Sequence, residues 1–263
     1  MSSSDTTDVG ALTGVANRVV VVTGAGQGLG RTFAKALSQA GAIPVIAERN
    51  AERGRAVAEE IRQAGGRALA VETDVADPTS VDAMAKKTVL ELGRIDVLIN
   101  NAGIFSTLAM RPFEDIPLEE WDAVLRVNVT GAMLCCRAVL PQMRQAGWGR
   151  IINMSSGSIL LGRPNYLHYT TSKAALIGMT RSMARELGKD GITVNAILPG
   201  AVETEIPRQT VTPEQRARIT ALQCVPRAQV PSDLVGIVLF LASDGSGFMT
   251  GQSLNLDGGA THL

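Results

Sequence analysis

Short apolar runs alternate with longer helical runs from residue 18 to residue 259, and this alternation leaves few folds open to the chain. The apolar runs are RVVVVTG (18–24), AIPVIAE (42–48), RALAVETDV (67–75), IDVLINNAG (95–103), WGRIINMSS (148–156), GITVNAILPG (191–200) and QSLNLDGG (252–259). Between the early ones, residues 29–40, 51–66 and 77–93 have helical spacing. The second of these ends in two glycines; the third opens Asp-Pro and closes on glycine. Proline costs no hydrogen bond in a first helical turn, and glycine accepts the positive φ that ends a helix. Residues 117–146 read as one or two helices broken near Gly131, 167–188 as one long helix, and 231–242 as another. Repeated strand–helix–strand units pack as right-handed crossovers, which predicts an α/β fold with a doubly wound, parallel, seven-stranded sheet covered on both faces.

The chain has 263 residues, enough for one large domain, here 15–263, with no linker or internal repeat. Residues 1–14 begin MSSSDTTDVG, polar and without a basic or apolar leader segment, and are expected to be a disordered tail. Lys+Arg and Asp+Glu stand at 25 each, with no basic run, which argues against nucleic acid and anionic membranes as partners. No apolar run is read as reaching the ~20 residues that span a bilayer, so a cytoplasmic protein is expected. Cys135, Cys136 and Cys224 are an odd set without CxxC spacing, best read as buried free thiols in a reducing compartment. With two histidines and no HExxH, a metal site has little to build on. Residues 201–229 are polar, carry prolines at 207, 213 and 226, and read as an irregular lid or insertion.

The turn VVTGAGQGLGR joins the first strand to the first helix and carries glycines at 24, 26, 28 and 30. Glycine permits a tight turn and lets a phosphate approach the N–H groups of a helix N-terminus. Strand, glycine turn and helix together make the expected domain Rossmann-type, although the spacing is TGxxxGxG and not GxGxxG. About twenty residues on, the second strand ends at Glu48, placed to bind ribose hydroxyls and repel a 2′-phosphate, while Arg49 beside it would favour one. Glu48 is otherwise a solvated strand end. Asp74, ending the third strand, is either an adenine-edge acceptor or a turn residue.

NYLHYTTSKAAL (165–176) holds both tyrosines, Tyr166 and Tyr169, and places Lys173 one helical turn after the second. A tyrosine is a poor base near pH 7. An ammonium ~4 Å from its oxygen favours the phenolate by ~4 kcal/mol at an effective dielectric of ~20, about three pKa units. A surface pair at this spacing would do nothing; a buried one makes a general acid/base.

In their order along residues 15–260 these motifs resemble the short-chain dehydrogenase/reductase family: TGAGQGLG (23–30), DV (74–75), NNAG (100–103), Asn128, Ser155–Ser156, YTTSK (169–173), PG (199–200) and LDGG (256–259). The resemblance implies a catalytic set of Asn128, Ser156, Tyr169 and Lys173. Tyr169 matches YxxxK where Tyr166 does not, and Ser156 stands the implied thirteen residues before it. Ser156 would hold the substrate oxygen, and Asn128 would hold a water that relays the proton, or else mark a helix kink. The implied cofactor contacts are Gly24, Gln27, Gly28, Leu29, Gly30, Glu48, Arg49, Asp74, Val75, Asn101, Ala102, Gly103, Pro199, Gly200, Val202 and Thr204, with Tyr169 and Lys173. Family members that prefer NADP often carry a basic residue where this chain has Gln27, so NAD is the expected cofactor and NADP the alternative. The implied assembly is a homotetramer through 117–146, 167–188 and the last strand.

The implied activity is hydride transfer between a secondary alcohol or ketone and the nicotinamide. Ile104, Phe105, a 158–166 loop with Ile159, Leu160 and Leu161, and the 201–229 lid are expected to line an apolar pocket for a small hydrophobic substrate. No Arg or Lys cluster stands out in the sequence. An NADPH-dependent 3-oxoacyl-carrier-protein reductase and a non-catalytic cofactor-binding regulator are the competing readings. His168 is expected to leave the chemistry to its neighbour Tyr169.

Overall fold

A computed structural model of the chain describes residues 14–207 and 213–262. The expected tail therefore falls, but for Gly14, outside the described residues. Seven strands form one sheet: β1 (Val19–Thr23), β2 (Ile43–Glu48), β3 (Leu69–Glu72), β4 (Val97–Asn100), β5 (Gly149–Met154), β6 (Ile192–Pro199) and β7 (Ser253–Leu256). Their order is β3-β2-β1-β4-β5-β6-β7, and every neighbouring pair is parallel. The chain order reverses between β1 and β4, which opens a crevice at the carboxyl ends of those strands.

Both faces of the sheet are covered. Helices α1 (Gly28–Gln39) and α2 (Ala51–Gln63) bury Phe33, Leu37, Val57 and Ile61 against one face. Helix α3 (Pro78–Leu92) buries Val81 and Met84 against the other. The expected caps are present: Asp77 accepts from the Thr79 N–H at 2.9 Å, and Gly93 ends α3 at φ 77°. Central strands such as Val19–Val22 are wholly buried, which is why they read as unbroken apolar runs and not as alternation.

Residues 117–146 form α4 (Leu118–Leu125), a π-helical turn (Arg126–Thr130) and α5 (Gly131–Ala146). The irregularity thus precedes Gly131, whose lack of a side chain is required: a Cβ there would sit 2.9 Å from Val75 Cγ2. Within Leu118–Ala146 a window of 18 residues reaches a mean hydropathy of 1.5, so by length and composition alone this stretch could cross a membrane, contrary to expectation. Its apolar residues are those of a core helix: Leu134, Cys135, Val139 and Met143 are buried under the sheet. Cys136 is buried too, but Cys224, in the polar 201–229 stretch, is exposed, which corrects the reading of all three thiols as buried. Two further expectations fail. Residues 158–166 open with a helical turn, α6 (Ser158–Leu161), before the long helix α7 (Leu167–Leu187), and the lid region contains α8 (Pro213–Leu222). Pro213 is the first residue of α8, a helix-start signal that the lid's polarity conceals. Helix α9 (Val235–Ala242) completes the first face.

At the amino edge of the sheet, the Arg18 and Arg150 guanidiniums lie 3.7 and 4.2 Å from the Trp148 ring centroid. Trp148 Nε1 donates to Asp244 at 2.7 Å, and Arg18 donates to the same carboxylate at 3.1 Å. Buried Asp96 accepts from the Val19 N–H at 2.8 Å and from Arg94 at 2.9 Å. These contacts tie β1, β4, β5 and the C-terminal part of the chain together at the end remote from the crevice.

Candidate active site

The crevice is a cavity of about 910 Å³, lined at one end by Gly24, Gln27, Leu29, Glu48, Arg49, Asp74 and Val75 and at the other by Ser156, Tyr169 and Lys173. Asn101, Ala102, Gly103, Pro199, Gly200, Val202 and Thr204 line it between.

The glycine turn is built by close packing. Gly24 has φ +63°, and a Cβ on it would stand 2.9 Å from Ala102 Cα. Gly30 would place a Cβ 2.4 Å from the Gly24 carbonyl oxygen, so it lets α1 close onto the turn. Gly28 and Gly30 do not line the cavity themselves. Thr23 Oγ1 accepts the Asn101 and Ala102 N–H groups, each at 3.0 Å, while the Asn101 amide donates to Thr23 O at 2.9 Å. NNAG thus fastens the end of β4 to the turn. The Gly28 N–H, at the first residue of α1, donates at 2.9 Å to a carboxylate oxygen of Glu205. An anion therefore already sits where a helix N-terminus attracts one.

At the end of β2, Glu48 accepts from the Gly26 N–H and the Asn50 N–H, both at 3.0 Å. Arg53 also lines the cavity and donates to Gln27 at 2.7 Å. Asp74 accepts from the Ala76 N–H at 2.9 Å, as a turn residue does, and it also lines the cavity.

Opposite the glycine turn, the adjacent serines divide. Ser155 is buried and donates to the Lys173 carbonyl at 2.8 Å, while Ser156 faces the cavity and accepts from the Ser158 N–H at 3.2 Å. Lys173 is 6% exposed; its Nζ donates to the Met154 carbonyl at 2.8 Å and lies 5.7 Å from the Tyr169 ring centroid. Burial pulls its pKa from 10.5 down to about 8. Asn128 lies in the π-turn, behind the cavity wall. It accepts from the Ile104 N–H at 2.8 Å and donates to Ser172 Oγ at 3.0 Å, and Ser172 in turn donates to the Tyr169 carbonyl at 2.7 Å. A Cβ on Gly103 would lie 3.2 Å from Asn128 Oδ1 and 3.5 Å from Lys173 Nζ, so both groups converge on that glycine.

His168 is fully buried, with Nε2 3.2 Å from Glu120, and does not line the cavity. At the substrate end, Ile104, Phe105, Ser158 and Leu161 form walls, but Ile159 and Leu160 do not. Two basic residues that the sequence left unremarked also line it, Arg163 and Arg218. The Arg163 guanidinium lies 4.9 Å from the Tyr166 ring centroid, and that ring lies 4.8 Å from Tyr169. Arg218 has no ion-pair partner among the described residues. Arg218 is far from Tyr169 in sequence, and Arg163, six residues before it, belongs to no motif of the series.

A dinucleotide suits this groove, because the turn has no side chains where backbone must meet a phosphate and its leading N–H already holds a carboxylate. A family model described as enoyl-(acyl carrier protein) reductase matches residues 24–261. A 3-oxoacyl-[acyl-carrier-protein] reductase of Synechocystis sp. is 38% identical, covering 94% of this chain and 98% of its own. The solved structure of a 7α-hydroxysteroid dehydrogenase with NADH and 7-oxo glycochenodeoxycholic acid is 32% identical, with a TM-score of 0.90 and coverage of 95% and 96%. A gluconate 5-dehydrogenase of Burkholderia cenocepacia with NADP and tartrate is 33% identical, also at 0.90, with coverage of 95% and 97%. Similarity of this extent, in sequence and in fold, makes the chain a member of the short-chain dehydrogenase/reductase family of oxidoreductases.

Proposed function

We propose that Tyr169 is the general acid/base of a reversible secondary alcohol–ketone oxidoreduction, with Lys173 and Ser156 as its working partners. The observation that carries this reading is the meeting of Ser156, Tyr169 and Lys173 at one end of a cavity whose other end is the glycine turn. When bound, a nicotinamide supplies or takes up the hydride. Ser156 donates to the substrate oxygen as charge develops there. Tyr169 moves the hydroxyl proton, and the Lys173 ammonium stabilises its phenolate. Asn128 holds the 104 backbone and, through Ser172, the first turn of α7. Tyr169→Phe is expected to cut kcat by about 10²–10⁴-fold while NADH binding persists. A variant that keeps its kcat would remove Tyr169 from the chemistry, and a biological effect unchanged by the substitution would favour a non-catalytic cofactor-binding regulator.

NAD is the favoured cofactor on this reading, because Glu48 is fixed by two N–H donors with its charge beside the ribose position. NADP draws support from Arg49 and Arg53 in the same wall. Nicotinamide fluorescence titrations with NADH and NADPH decide between them. NADPH preference would also favour the second reading, a 3-oxoacyl-carrier-protein reductase like the Synechocystis relative.

The substrate end argues for a hydrophobic alcohol or ketone that carries an anionic group away from the reacting carbon. Apolar walls accept the chain, and Arg163 and Arg218 supply cations from two different elements. Asp257, the carboxylate lining that end, is engaged by the Gly259 and Ala260 N–H groups and by Thr261. A 4-oxo acid should be reduced at least tenfold more efficiently than its amide, and Arg218→Leu should remove the difference. Equal rates on acid and amide would exclude the anionic group. We infer homotetramer assembly from family membership, with Met133 and Leu167 exposed on the helices concerned; sedimentation velocity tests it.

A further inference from the structure

The Glu205 carboxylate is the anion at the α1 end of the glycine turn, where Glu48 holds only Gly26, and it comes from residue 205, far along the chain, at the start of the lid region. It accepts from the Gly28 N–H at 2.9 Å. Gly28 has φ +57° and opens α1, so its N–H points out of the helix with no partner inside it. The next lid residue packs onto the same glycine: a Cβ on Gly28 would lie 2.7 Å from Ile206 Cδ1. Behind these two residues the segment is anchored by a bridge between Val202 and Gln229 and by the Glu203 N–H on the Gln229 carbonyl at 2.8 Å. Residues 204–206 thus tip from a fixed base onto the N-terminus of α1.

We infer that Glu205 is an internal competitor for the cofactor's pyrophosphate and sets the affinity of the site. The inference rests on the dinucleotide reading of the turn. A carboxylate and a pyrophosphate need the same things: an outward N–H and the positive end of a helix dipole. One N–H cannot serve both, and two anions at one helix terminus repel. Cofactor entry therefore expels Glu205, and Ile206 leaves Gly28 with it. The measured affinity is the intrinsic affinity reduced by the fraction of chains in which Glu205 is docked.

The test compares wild type with Glu205→Gln and Glu205→Ala. Glu205 is exposed, so both variants should fold. NADH titration is expected to give a Kd several-fold lower for Glu205→Ala, up to about 30-fold, the range that corresponds to a charge at a helix terminus. Glu205→Gln, which keeps an acceptor but no charge, should fall between. In the cofactor-free proteins, hydrogen exchange by mass spectrometry should be faster at 24–30 and 201–207 in Glu205→Ala. An unchanged or weaker Kd in Glu205→Ala overturns the competition. Faster exchange with no binding of NADH or NADPH by either protein would instead remove the dinucleotide reading, and the competition with it.

Discussion

Replacing Lys173 with Met should change how stability depends on pH, in a direction the structure fixes. The Lys173 ammonium is buried, and its hydrogen-bond partner is the Met154 carbonyl. Burial lowers its pKa from 10.5 to about 8, so the folded state releases a proton more readily than the unfolded chain does. A lowered lysine pKa means a penalty that is fully present below pH 8, shrinks as pH rises from 8 towards 10.5, and vanishes above that. At about 1.4 kcal/mol for each tenfold change, the penalty at pH 7 is about 3 kcal/mol. Roughly 2 kcal/mol of it is relieved by pH 9.5. Lys173→Met removes the titrating group and keeps most of the volume. Urea denaturation of both cofactor-free proteins at pH 7 and pH 9.5, each in a Tyr169→Phe background, isolates the effect, because titrations not coupled to Lys173 cancel in the difference. Wild type should gain about 2 kcal/mol on the variant between the two pH values, or about 0.7 M in midpoint at an m-value of ~3 kcal/mol/M. Parallel curves would mean that the ammonium is hydrated in the folded protein, and the argument that it acts on Tyr169 at low dielectric would fall with that.

Three further substitutions and one thiol label test separate parts of the protein. Ser156→Ala should lower kcat by about 10²-fold or more with little change in stability, whereas Ser155→Ala should cost about 1 kcal/mol of stability, from its bond to the Lys173 carbonyl, and spare kcat; kinetics and denaturation on both variants separate them. Gly30→Ala, with a Cβ 2.4 Å from the Gly24 carbonyl oxygen, should destabilise the protein by about 1–3 kcal/mol or more and weaken NADH binding. A thiol reagent at pH 8 should modify exposed Cys224 and spare Cys135 and Cys136, since burial pushes both of their pKa values up, that of Cys136 to about 12; peptide mass mapping reads the result.

Much of this architecture is legible in the sequence, and for local reasons. Seven apolar runs separated by capped helices leave little freedom, because Asp77 and Gly93 mark helix ends through their own backbone chemistry. The spacing from Ser156 to Tyr169 and Lys173 survives into the structure because β5 and α7 place those residues at one end of a single cavity. What the sequence hides is non-local. The Glu205 contact with Gly28 joins residues 177 positions apart, and no local period encodes it. Arg163 and Arg218 meet the cavity from separate elements. Helix α8 is amphipathic too weakly to announce itself and is marked only by Pro213 and Glu214 at its start.

The cluster around Trp148 gives the molecule a hard end and a soft end. Cations stacked on one indole, with Asp96 and Asp244 bonded beneath them, lock the amino edges of β1, β4 and β5 to the turn that follows α9. Amides there should open only when the whole domain unfolds, while those at the carboxyl ends of the same strands open locally. The sheet then works as a clamped beam. Loops at its other end can then adjust to a ligand without disturbing the clamp, and a variant that loosens Trp148 would shorten the protein's lifetime before it altered its turnover.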